Sequence, residues 1–297
     1  NNFIFTNTYG IAPSNTTLTV RYLTGGGVGS NIPSNNLTNL DTANIKFLKT
    51  NLTPNSANYI FNTVASNNDK AASGGKDGDT IEEIRQNSIS NYSSQLRNVT
   101  ADDYLVRALS MPSKYGIVAK AYTQKPNIED YLSSLDIYIL SYNSQKSLVP
   151  TSLTLKENLK TYLNQYRMIG DTVSIKDAFI INIDCNFEII TLPNYNNNEI
   201  LTNCINSLQN YFNINNWQVN QPIIYRNLFS LLDNIEGVQT VKKVIINNKR
   251  GTSSGYSQYA YDINGATQNG VIYPSLDPSI FELKYPNQNI RGKVVTL

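Results

Sequence analysis

Between Ile181 and Ile189 the chain alternates without a miss. Ile181, Ile183, Cys185, Phe187 and Ile189 fall on one side, and Asn182, Asp184, Asn186 and Glu188 on the other. A period of two marks a β-strand with one core face and one wet face. Each large apolar side chain buried there is worth about 1.5–3 kcal/mol, so a slip of one residue would expose the whole set, and the pattern itself sets the register.

A strand of this kind needs a sheet and a cover, and helical stripes flank it. Leu155, Leu159, Tyr162, Leu163 and Tyr166 recur at helical spacing behind a capping-box pair, Thr154 and Glu157, and the stripe stops near Gly170. Leu201, Cys204, Ile205, Leu208 and Phe212 form a second stripe. A third, with Ile224, Leu228, Leu231, Leu232 and Ile235, is expected to start from Gln221 as N-cap with Pro222 in the first turn, and to stop at Gly237. Val238 to Ile246 reads as a strand again. Upstream, Thr80 with Glu83 opens a helix that carries Ile81, Ile84, Tyr92 and Leu96 on one face. Thr100 with Asp103 opens a shorter one carrying Tyr104, Leu105, Ala108 and Leu109, which Met111-Pro112 closes. Ile117 to Tyr122 and Leu135 to Tyr142 read as strands.

The first 78 residues carry β signals. Leu18, Val20 and Tyr22 alternate against Thr17, Thr19 and Arg21, and Ile45 to Lys49 and Tyr59 to Val64 are strand-like pieces among Ser, Asn, Pro and Thr. Ala71 to Gly78 reads as a polar linker. Beyond Asn247 the chain becomes a Gly, Ser, Tyr and Pro-rich tail with apolar pieces at Ile280 to Leu283 and Val294 to Leu297. Such a tail lies against another domain or another chain, or hugs the surface of its own subunit. The expected class is α+β and multidomain with mixed sheets. Its parts are a β-rich region 1–78, a helical connector with a strand-helix-strand unit 79–178, a strand-helix-helix-strand unit 179–247, and an extended, interface-forming tail 248–297. A chain of 297 residues is long enough for two or three such units.

Composition narrows the function. The chain contains no His, so neither a Ser-His-Asp nor a Cys-His arrangement can be built within it, nor a His-ligated metal site. Formal charge is +2 and the basic residues are scattered, Lys242-Lys243 and Lys249-Arg250 being the densest, which argues against capture of nucleic acid. No apolar run approaches the roughly 18–20 residues of a membrane helix, so membrane insertion is not expected. The chain opens on Asn1 rather than Met, and an upstream region is expected. Cys185 and Cys204 each fall on the apolar side of an element and read as buried free thiols rather than a bridge.

Several motifs invite chemistry and do not carry it. Gly25 to Gly29 is followed by Ser30-Asn31-Ile32-Pro33 rather than by Lys and Ser or Thr, and reads as a turn. Gly74-Gly75-Lys76-Asp77-Gly78 has Asp where a phosphate loop holds magnesium through Ser or Thr, and lacks the alternating ligands of a calcium loop. Of the acidic pairs Glu82-Glu83, Asp102-Asp103 and Glu129-Asp130, the first two sit in first helical turns, where negative charge complements the helix dipole. A His-free hydrolase working with two carboxylates is therefore a distant third reading. Glycosylation sequons at Asn15, Asn36, Asn51, Asn91 and Asn98 arise by chance in so Asn- and Thr-rich a chain. Twenty Tyr and the lone Trp217 keep open a carbohydrate-binding or adhesin module, unless those rings lie in cores. No catalytic, cofactor-binding or metal-ligating residue is assigned, and no cofactor or small-molecule substrate is expected.

The order of segments is similar to the baseplate J-like family, and within it to the wedge proteins that form the ring of T-even-type contractile tails. The resemblance is carried by residues 74–85, GGKDGDTIEEIR, then by 97–104, RNVTADDY, and by the strand-like Ile117-Val118-Ala119-Lys120-Ala121-Tyr122. Tyr166-Arg167-Met168-Ile169-Gly170 resembles the family's segment before its next strand, and the family-like stretch as a whole runs from about Thr16 to Val244. The tail, with Gly270 to Pro274 and Asp277 to Glu282, resembles the end of the T-even-type proteins. The resemblance implies a virion component without an active site. Such a subunit dimerises, joins other wedge proteins in a ring around the tail hub, rearranges on sheath contraction and is assembled in the host cytoplasm. It transfers no interface residues.

Overall fold

A computed structural model describes residues 15, 17, 19, 27–41, 45–48, 51–94, 97–125 and 134–295. The alternating segment is a thirteen-residue strand, β5 (Phe179–Thr191), with Ile181, Ile183, Cys185, Phe187 and Ile189 all buried. One edge of β5 pairs antiparallel with β7 (Val238–Lys249), with bulges at Glu188/Ile189 and Ile190/Thr191. The other edge is taken by two pieces of the tail, β10 (Ser279–Glu282) and β11 (Ile290–Val294), both parallel to β5. A single helical turn, α7 (Pro286–Asn289), loops out between them, and the Asn289 amide donates to the Ile183 carbonyl left open in the gap, at 3.2 Å. The tail thus completes its own subunit's sheet, and Ile280, Phe281 and Ile290 are core residues.

The expected wet face of β5 is half dry. Asn182 is buried beneath the tail, and Asp184 is buried against the side chains of β7. The Asn182 amide donates to Glu282 Oε2 at 2.7 Å, and its Oδ1 accepts the Ser257 N–H at 2.7 Å. Asp184 accepts from Asn247 at 2.8 Å and pairs with Lys249 at 3.0 Å. Buried polar groups persist only when bonded, and these are.

A second sheet is built on β2 (Ser134–Tyr142), with β1 (Lys120–Gln124) antiparallel on one side and β4 (Thr172–Asp177, parallel) and β3 (Leu148–Val149, antiparallel) also paired to it. Strand alternation lets β2 serve two cores. Leu135, Ile137 and Ile139 pack with α3 (Ala101–Leu109) and α4 (Leu153–Leu163), whereas Leu140 and Tyr142 join the core of β5. The sheets are linked directly, since only Ala178 separates β4 from β5. Over β5 and β7 lie α5 (Asn197–Tyr211) and α6 (Tyr225–Asp233), which bury Ile200, Cys204, Leu208, Leu228 and Leu232. Gly237 turns the chain into β7 at φ +91°, where a Cβ would meet Ile200 Cδ1 at 2.7 Å. A small third sheet joins β6 (Ile223–Ile224), β9 (Val271–Ile272) and β8 (Thr267–Gln268).

The mixed α+β class is as expected, but five local readings change. Tyr59–Val64 is not a strand: α1 (Pro54–Thr63) runs through it, with Thr53 accepting from the Ser56 N–H as N-cap and Pro54 at the first position. No described residue between 27 and 78 is in a strand; the alternation around Leu18 to Tyr22 and part of Ile45 to Lys49 fall outside the described residues. Helix α4 is capped by Ser152, whose Oγ accepts the Leu155 N–H at 3.3 Å, so Thr154 sits inside the first turn and not at its cap. Helix α6 starts at Tyr225 rather than after Gln221, because Ile223 and Ile224 are drawn into pairing with β9. The strand expected over Ile117–Tyr122 begins at Lys120.

Candidate functional site

Helix α2 (Ile81–Ser94) begins with the expected reciprocal cap. The Thr80 N–H donates to Glu83 Oε2 at 2.7 Å and the Glu83 N–H to Thr80 Oγ1 at 3.3 Å. Those bonds and Lys76 hold the Glu83 carboxyl below its ordinary range, against a partial desolvation that pushes it up. Helix α3 is capped the same way by Thr100 and Asp103, with the Val99 N–H a further donor to Asp103. Both acidic pairs are thus helix-start groups, as their spacing suggested, while Glu129-Asp130 lies outside the described residues.

What the spacing did not disclose is which way α2 faces. Ile81, Ile89 and Tyr92 are 75%, 67% and 75% exposed. It lies alongside α3, and its described side-chain bonds run to the segment just before it: Lys76 bonds Glu83 at 3.5 Å, and Asn87 donates to Asp79 at 3.4 Å. Ile84, also exposed, borders a groove of about 520 Å³ whose other wall is Leu109, Met111 and Ile117. Helix α1 has no buried residue, and Tyr59, Phe61 and Val64 are exposed on and beside it. The candidate functional surfaces are the outward apolar faces of these two helices, each by itself.

Behind α2 the two glycine segments meet. Gly74 donates to the Tyr142 carbonyl at 3.0 Å and Gly75 to Asn31 Oδ1 at 3.3 Å. Gly75 passes so close to Gly27 that a Cβ would lie 2.4 Å from its carbonyl oxygen, which is why glycine is needed there. Asp77 accepts from the Val28 N–H at 3.4 Å and pairs with Lys146. Between this strap and the turn Ile214–Asn216 lies a polar cavity of about 320 Å³, lined among others by Lys76, Asp77, Glu83, Tyr142, Lys146, Asn215 and Asn216. Lys120 lies beside it, 6% exposed, and donates to the Asn215 carbonyl at 3.1 Å. Burial, and then the charge of Lys76, push its ammonium down to about 8, with Glu83 opposing.

Cys185 and Cys204 are buried free thiols, pushed by burial up to about 12 and about 11. Asn98, one of the sequons, is fully buried, and neither atom of its side-chain amide has a hydrogen-bond partner among the described residues. Trp217 is a core residue stacked on Phe212, its Nε1 donating to the Tyr211 carbonyl at 3.0 Å, and is not a sugar platform. Tyr104, Tyr142 and Tyr162 are likewise buried. Tyr259 is exposed beside a cleft of about 320 Å³, but its ring stands edge-on to Phe179 at 4.9 Å. Among the described residues no group of three or more His, Cys, Asp or Glu could hold a metal ion, and no helix is long and apolar enough to cross a membrane.

No protein-family model matches the sequence, and no curated protein matches it. Among solved structures, the chain is similar to one in the cryo-EM structure of the anti-feeding prophage baseplate, six-fold symmetrised, with a TM-score of 0.41 and 12% identity. The similarity covers 88% of this chain and 51% of that one, so this chain spans about half the length of its neighbour. A likeness of that size decides neither fold nor function.

Proposed function

We propose that the chain is a non-enzymatic structural subunit of a contractile-tail baseplate, carried in the virion and assembled in the host cytoplasm. In this reading it pairs with a second copy of itself and joins other wedge proteins in a ring that rearranges when the sheath contracts. Its parts divide at about residues 78, 178 and 247, with the tail serving the last unit. The observation that carries the reading is the outward apolar face of α1 and α2. Helices shorter than roughly 12–15 residues are marginal alone in water, and a ten-residue helix with nothing buried needs a surface to lie on. The ordered likeness of residues 74–104 to the baseplate J-like family supplies the kind of assembly.

The α2 face is self-complementary. Set antiparallel across a two-fold axis, Ile81 of one copy meets Tyr92 of the other and Ile84 meets Ile89, with Arg85 opposite Ser88. A stable contact buries roughly 1,000 Å² or more, so surface beyond α2 has to contribute. Sedimentation equilibrium is expected to give a dimer or larger species, which the double variant Ile81→Asp, Ile89→Asp dissociates without unfolding. A strict monomer at high concentration that also ignores neighbouring wedge proteins would sink the assignment.

A further inference from the structure

Lys76 and Lys146 line the polar cavity behind α2, Lys120 lies beside it against the Asn215 carbonyl, and the three are not equivalent. Lys76 is paired with Asp79 at 2.7 Å and Glu83 at 3.5 Å, and Lys146 with Asp77. Lys120 is the most buried of the three and forms no ion pair among the described residues. Its described bond is to a neutral carbonyl, that of Asn215. Burying an ammonium without a counter-charge is expensive, and the two carboxylates at the cavity are already spoken for. Glu83 holds the Thr80 N–H and Lys76, and Asp77 holds the Val28 N–H and Lys146. The side-chain amides of Asn215 and Asn216, which line the same cavity, make no hydrogen bond to described residues. Both asparagines are exposed, so the cavity's mouth carries solvent-facing amides able to donate to a ligand, while its carboxylates are already engaged.

We propose that this cavity binds a compact oxyanion, a carboxylate, sulfate or phosphate group, with Lys120 as its buried counter-charge and Asn215 and Asn216 as neutral donors. A cation would add to three lysines, and an apolar ligand would strip water from amides without replacing it. The titratable groups facing Lys120 are Lys76 and Glu83, with Asp77, Lys146 and Tyr142 around the same space, and Lys76 outweighs Glu83 in its effect on Lys120. An anion relieves that repulsion. The inference does not depend on how the subunit assembles.

Isothermal titration and thermal unfolding with sodium sulfate, phosphate and acetate, each balanced with chloride to constant ionic strength, test it on the full chain. Wild type is expected to show saturable binding at millimolar concentration, weakened about tenfold or more by Lys120→Met and several-fold by Asn216→Ala. Affinity for sulfate, whose own charge is constant, is expected to fall as pH rises from about 7 to about 9.5, where Lys120 gives up its proton. Sulfate also stabilises proteins non-specifically, without saturation, and Lys120→Met supplies that baseline. Should that variant not fold, Lys120→Gln and Asn216→Ala with the wild-type pH profile take its place. Saturable acetate binding assigns the site to a carboxylate such as an acidic side chain of a neighbouring chain. A response to sulfate and phosphate alone assigns it to a free tetrahedral ion. Equal responses in wild type and the Lys120 variants at every pH overturn the proposal.

Discussion

Helices α2 and α5 are almost the same length, 14 and 15 residues, and they meet solvent in opposite ways. Helix α5 lays Ile200, Cys204 and Leu208 on the sheet of β5 and turns its amides outward. Helix α2 lies alongside α3, is tied to the segment just before it by a cap and two polar bonds, each worth no more than about 1 kcal/mol, and leaves its isoleucines exposed. In α5 the apolar stripe describes the fold of this chain. In α2 the same kind of stripe is exposed, with no described residue packed over Ile81, Ile89 or Tyr92, and that is why the proposed assembly rests there.

The sharpest way to break the contrast is to remove one large side chain from each region. Phe187 is buried at the middle of β5 and fills the space left by Gly292, where a Cβ would fall 2.4 Å from its Cζ. Phe187→Ala is expected to lower the unfolding free energy by about 3–5 kcal/mol in urea titration. Ile89→Ala, measured at concentrations where the chain is monomeric, should change it by less than about 0.5 kcal/mol. Comparable losses at the two sites would place α2 in the core and erase the distinction.

The two regions also differ in how far they could be read from residues alone. Period two announced β5, period 3.6 announced α4, α5 and α6, and the Thr-x-x-acid spacing announced the starts of α2 and α3. Each is a local code, and local codes survive without knowledge of partners. Helix α1 was misread because Tyr59, Ile60, Phe61 and Val64 are good strand residues; Thr53-Pro54, an N-cap followed by proline, was the signal that could have corrected it. The parallel strands β10 and β11 had no such signal, since their partner lies about a hundred residues upstream and a four-residue apolar piece does not name its neighbour. The dry half of β5 follows from the same blindness. Asn182 looks solvated until the tail brings Glu282 to it. The polar cavity was half legible, its glycines noticed as loops, but Lys120 stood in the sequence as one more residue of a strand.

Glu282 offers a smaller and more local test, at the place where the tail is sewn to both sheets. It accepts the Leu148 N–H and the Asn182 amide, each at 2.7 Å. Burial raises its carboxyl above the ordinary 4.5, against the pull of Leu148, Lys284 and Asn182. A raised carboxyl means that the folded chain holds more protons than the unfolded one between pH 4.5 and the folded value, so stability falls as pH rises through that window. Glu282→Gln should abolish this slope, while setting donor against donor at Asn182 at a cost of about 1–3 kcal/mol. Glu83 and Asp103 are shifted downward and give the opposite slope at more acid pH, so the two are separable in one titration. An unchanged slope in the variant would mean that Glu282 is not the buried acid holding the tail.

The finest comparison uses one motif in two settings. Thr100 and Thr80 make the same reciprocal bonds to the acidic residue three positions on, but α3 buries Tyr104 and Ala108 whereas the side chains described on α2 form no core of their own. Thr100→Ala should lower global stability by about 1 kcal/mol, because a helix that belongs to the core cannot fray without it. Thr80→Ala should leave the global transition where it is and speed hydrogen exchange along α2, since the lost cap is then drawn from a local opening. Raising the protein concentration should slow that exchange again, because a second copy seated on Ile81, Ile89 and Tyr92 binds only the formed helix. If both substitutions shift the global transition alike, α2 is already anchored by its own chain, and its apolar face is not waiting for another.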